Sequence, residues 1–132
     1  MRAIDTNVLV RALVRDDPAQ SARAEQLLAA EEVLYVPVTV VLELEWVLRS
    51  RYGYPPRLVA RALQGLAALG NVVLGERAAV VAAAAQVAQG WDFADALHHA
   101  LSAGCADFVT LDTTLKRLAA RGTLVTPAVT QL

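Results

Sequence analysis

Short β-branched runs alternate with longer amphipathic or alanine-rich stretches along the whole chain, the signature of a parallel sheet covered by helices. The runs predict strands over Arg2–Asp5, Val33–Pro37, Asn71–Gly75, Asp107–Leu111 and Thr123–Thr126, the last closed by Pro127. Helices are predicted between them: Asn7–Arg15, Asp17 to Glu31, Thr39–Tyr52, Pro55 to Leu69, Glu76–Gln89, Asp92–Ala103 and Asp112–Ala120. Asp17-Pro18 supplies a cap and a first-turn proline, and four of the helices run into a glycine at 53, 70, 90 or 104. No repeat, linker or low-complexity tract breaks this alternation, so 132 residues read as one α/β domain.

Composition narrows the class. With 56% hydrophobic and 19% charged residues, the chain has the material for a packed core. No apolar run approaches the roughly 18 residues of a membrane span, and the start lacks a secretory signal pattern. One cysteine, Cys105, excludes an internal disulfide and a Cys-rich zinc site. A cytoplasmic protein is the expectation. A net charge of −1 argues against affinity built mainly on phosphate contacts.

The acids fall in a pattern. Asp5 and Asp112 each close a predicted strand, and ligands of open parallel sheets bind beyond the strands' carboxyl ends. Asp95 opens a helix that runs back toward the same edge, and Glu43 lies in the early turns of the helix after the second strand. Glu45 has Arg49 at i+4 and reads as a solvated surface pair. Glu43 has Val40, Trp46 and Val47 around it and no basic residue within helical reach, so it needs a partner from elsewhere.

Each aspartate also stands where a helix begins, and Asp is a favoured cap. Asp92 with Asp95 resembles a capping box and reads as the cap of its pair. Capping does not account for Glu43. Clustered carboxylates repel unless a cation holds them, and an all-oxygen set suits a hard ion such as Mg²⁺ or Mn²⁺. One or two such ions serve hydrolysis at phosphorus by activating water, the chemistry of nucleases and phosphatases.

The segments DTNVLVR, LELEWVLRSRYG, DFADALHHA and FVTLD, in this order, resemble the PIN-domain ribonucleases of the VapC toxin type, over most of the chain. The resemblance implies a three-layer sandwich with a five-stranded parallel sheet in order 3-2-1-4-5. It implies that Asp5, Glu43, Asp95 and Asp112 form a catalytic, metal-holding quartet for Mg²⁺ or Mn²⁺. Thr6, Asn7 and Thr110 take supporting or substrate-orienting places. It further implies an RNA substrate, a homodimer, and inhibition by a small VapB-like antitoxin.

Arg11, Arg15, Lys116 and Arg117 are candidate RNA-backbone contacts, although solvated helix faces commonly look the same. His98 and His99 point about 100° apart, so at most one faces a metal, and a core or interface place is the simpler reading. Trp46, Tyr52 and Tyr54 suit core or dimer packing better than base stacking, and Cys105 reads as buried and inert. Two other functions compete. A phosphatase of the haloacid-dehalogenase type wants an Asp at position 7, where this chain has Asn; a non-catalytic RNA- or protein-binding module predicts a degraded quartet.

Overall fold

The computed structural model describes residues 1–121 and 125–132. Among them the chain runs β1 (Arg2–Ala3), α1 (Thr6–Val14), α2 (Pro18–Ala29), β2 (Leu34–Val36), α3 (Val38–Ser50), α4 (Pro56–Ala68), β3 (Val72–Leu74), α5 (Arg77–Ala88), α6 (Phe93–Leu101), β4 (Asp107–Thr110), α7 (Thr113–Ala119) and β5 (Ala128–Gln131). All strand pairs are parallel, as the alternation predicts.

The strands form two sheets in place of the expected five-stranded one: β1-β2-β3, with β2 central, and β4-β5. β1 is too short to join them. Its two residues pair with Leu34 and Tyr35, and the chain then turns at Asp5 into α1. β4 pairs with β5 as the expected order has it, over four rungs from Asp107–Ala128 to Thr110–Gln131, and the β1–β4 pairing is the one that is missing. The fifth strand lies beyond Pro127 rather than before it. Of the predicted Thr123–Thr126 strand, positions 123 and 124 are outside the described residues, and Val125 and Thr126 are not in a strand.

The core forms around β2, whose Leu34 and Val36 are fully buried together with Val41, Leu44 and Leu48 of α3. α4 contributes Val59, Ala60, Leu63, Leu66 and Ala67, an i, i+4, i+7 stripe. The alanines of α5 let it lie against both α4 and α6, with Val80, Ala83, Ala84 and Val87 buried. Small side chains here allow close helix approach.

Helix starts are made by local chemistry. Asp17 accepts from Gln20 N at 3.1 Å with Pro18 in the first turn, and Pro55-Pro56 opens α4 without a side-chain cap. Gly75, after β3, is needed for close approach. A Cβ there would stand 2.8 Å from Tyr35 Oη and 3.1 Å from Val38 N at the head of α3.

Candidate active site

Asp5 leaves β1 in an extended conformation, and its carboxylate accepts from Thr6 N at 2.7 Å, capping α1. Asp112 does the same for α7: its Oδ1 accepts from Thr114 N at 2.8 Å and from Leu115 N at 3.1 Å. Thr110 Oγ1 accepts from Asp112 N at 3.0 Å and holds the backbone that presents this carboxylate. Asp92 Oδ1 accepts from Asp95 N at 3.0 Å, so Asp92 is the cap of α6 and leaves the Asp95 carboxylate free. Each cap satisfies helix N–H groups that would otherwise lack partners.

Burial raises the Asp95 carboxyl above its ordinary value, and the charges of Asp92 and then Asp112 push it the same way, while His98 opposes them. Asp95 and Asp112 therefore meet electrostatically across two segments of the chain. Glu43 is exposed on α3 and lines a cavity of 320 Å³ with Thr6 and Asn7 of α1. Arg11 and Arg51 line the same cavity, so Glu43 has cations nearby that come from outside its own helical reach.

Thr6 is 4% exposed, and its Oγ1 has no hydrogen-bond partner among the described residues. A buried hydroxyl without a partner costs free energy. No three His, Cys, Asp or Glu groups converge into a metal-binding cluster among the described residues. The donor types nevertheless suit Mg²⁺ or Mn²⁺. Such ions are commonly held by one or two carboxylates, several waters and substrate phosphates, without a closed protein cage.

Other expected placements change. Glu45 is not a surface residue: it is 4% exposed, while Arg49 beside it keeps about half its side chain in solvent. The expected pair does form, Arg49 Nε donating to Glu45 Oε1 at 2.7 Å. Arg49 also stands in the field of Asp92, at the head of α6. Cys105 is exposed, because the turn between α6 and β4 lies at the surface.

His99 takes the core place, buried between Trp91 and Phe108 with Nε2 2.7 Å from Pro127 O; His98 is exposed. Three of the four basic candidates are already engaged. Arg11 pairs with Asp16 at 2.6 Å, Arg15 with Glu25 at 2.8 Å, and Lys116 donates to Val129 O at 2.6 Å. Arg117 is exposed. Trp46, expected in packing, is 54% exposed beside Glu43, whereas Tyr52 and Tyr54 are half-buried against the core. Its i+3 spacing from Glu43 was visible in the sequence, but not its exposure.

No helix among the described residues is long and apolar enough to cross a membrane. No curated protein matches the chain closely enough to count as a relative. A family model described as PIN domain matches residues 3–121, which takes in all four of the acids and every helix. The chain belongs to the PIN-domain family, whose members are generally metal-dependent nucleases with a link to RNA.

Proposed function

We propose that this chain, as one PIN domain over residues 1–132, is a cytoplasmic endoribonuclease that uses Mg²⁺ or Mn²⁺ held by Asp5, Glu43, Asp95 and Asp112. The observation that carries the reading is the PIN-domain match over all four acids, with Glu43 lining a cavity beside Thr6 and Asn7. A divalent cation held by these carboxylates would supply Lewis-acid stabilisation at a phosphoryl oxygen and would acidify water.

The chain's own groups do the rest. Backbone N–H groups fix the Asp5 and Asp112 carboxylates, so little order is lost when they act as ligands. Asp95, crowded by Asp92 and Asp112, gains most from a neighbouring positive charge. Thr6 and Asn7 orient the phosphodiester, and Thr110 holds Asp112 in place. Hydrolysis joins a water oxygen to phosphorus and breaks the bond to the 3′ oxygen, giving a 5′-phosphate and a 3′-hydroxyl. The sequence resemblance extends the proposal to a homodimeric toxin neutralised by a small antitoxin.

The test is purified protein on RNA with Mn²⁺, Mg²⁺ or chelator, beside Asp5→Asn. Cleavage that needs the cation and disappears in the variant is the expected result. Cleavage that persists in chelator, or that Asp5→Asn leaves intact, overturns the reading. Growth arrest on expression, relieved by a short reading frame encoded next to the gene, tests the toxin role.

A further inference from the structure

The cavity beside Glu43 has one wall that the acid chemistry does not use. Trp46 sits one turn after Glu43 on α3, borders the cavity, and is 54% exposed. Its indole gives the cavity an exposed aromatic face. Asn7, exposed on α1, lines the same cavity and offers amide donors and an acceptor. Arg51 is exposed at the rim and has no ion pair among the described residues.

An apolar face, hydrogen-bonding groups and a free cation together fit one chemical class. We propose that this cavity is a subsite for an unpaired nucleobase of the RNA, stacked on the Trp46 indole, with Arg51 at a flanking phosphate. The inference rests on the nuclease reading above and assigns its substrate: a single-stranded segment next to the cleaved bond. At 320 Å³ the cavity falls within the roughly 300–1,000 Å³ of small-ligand sites. A second cavity, of 340 Å³, shares Asn7 and Arg11 with the first and adds Gln20 and Arg23 between α1 and α2. Stacking tolerates any base, so the subsite selects for strand state before sequence.

The chain's two tryptophans make the test direct, since Trp91 is 4% exposed and Trp46 is the accessible one. In chelator, where the RNA stays intact, a single-stranded decaribonucleotide is expected to quench tryptophan fluorescence saturably, and a blunt RNA duplex is not. By anisotropy of a labelled decaribonucleotide, Trp46→Ala is expected to weaken binding about tenfold, and Trp46→Tyr to restore most of it. In cleavage with Mn²⁺, Trp46→Ala raises KM more than it lowers kcat.

Equal quenching by duplex, no quenching by either, or a Trp46→Ala variant that binds and cleaves like the parent overturns the subsite. So does quenching by a co-expressed partner protein and not by RNA, which assigns the indole to a protein contact. Stacking without cation-dependent cleavage leaves the subsite standing and removes the nuclease reading; cleavage unaffected by Trp46 does the reverse.

Discussion

Glu45 Oε1 accepts a hydrogen bond from Arg49 Nε at 2.7 Å, yet only the arginine reaches solvent: the carboxylate's side chain is 5% exposed and the guanidinium's 46%. An i, i+4 pair of this kind is ordinarily worth a few tenths of a kcal/mol on a helix surface. Here one partner is buried, and the two members differ in what their loss costs. Arg49→Met strands a buried carboxylate and is expected to destabilise the protein by about 1–3 kcal/mol. Replacing both at once, Glu45→Leu with Arg49→Met, removes the charge with its partner and costs far less. Urea unfolding of the two singles and the double, read as a double-mutant cycle, checks this.

Asp16 joins the loop after α1 to the end of α3, accepting from Tyr52 Oη at 2.9 Å and pairing with Arg11 at 2.6 Å. The Tyr52 hydrogen bond first, and that of Arg11 second, hold its carboxyl below the ordinary 3.8. A lowered folded value stabilises the protein above the unfolded value and loses that contribution as pH falls through the folded one. Tyr52→Phe is therefore expected to lower thermal stability at pH 7, with the gap from the parent closing below about pH 4. Melting temperatures over pH 2.5–8, an interval chosen to span the transition, read this out.

Asp95 works the other way. Its raised carboxyl means that ionisation costs the folded state at neutral pH. Asp95→Asn, which leaves the Asp92 cap in place, is expected to raise the melting temperature of metal-free protein at pH 7. The gain disappears in acid, once the parent carboxyl is protonated. Activity moves opposite to stability, falling by about 100-fold or more, since loss of a ligand exceeds the 10–100-fold effect of an outer partner. Added Mn²⁺ is expected to raise the melting temperature of the parent more than that of the variant.

Gly75→Ala is expected to destabilise the protein by about 1–3 kcal/mol. The added methyl meets Tyr35 Oη at 2.8 Å and the backbone nitrogen of Val38 at 3.1 Å, and the backbone cannot move aside without moving its helix. Because Val38 begins α3, the displacement reaches the helix that carries Glu43. Cleavage and stability are expected to fall together, measured by denaturant midpoint and by RNA turnover.

What was legible in the sequence was local. Asp17-Pro18, Pro55-Pro56, Asp92 and Asp112 set their helix starts within a few residues, because a cap is a contact between near neighbours. Glu45 shows the opposite case. Its i+4 arginine is real, but burial depends on how α3 packs in the fold, which no spacing along one helix encodes. The fifth strand went astray because the β-branched residues before Pro127 outweighed Ala128–Gln131, whose pairing is fixed by β4. For the site, the acids were legible as types at strand and helix ends. The exposure of Trp46 and the unpartnered Thr6 hydroxyl were not, since both are products of packing between α1 and α3.

The carboxylates at 5 and 112 each hold the first N–H groups of a helix, so the proposed chemistry and the punctuation of the fold draw on the same oxygen atoms. Truncation to alanine at either position removes both at once and confounds the two in any assay. Asparagine keeps the cap and abolishes the charge. A lineage drifting from enzyme toward inert scaffold thus has a narrow exit: the substitutions that silence this edge without unravelling α1 or α7 are those to Asn, Ser or Thr.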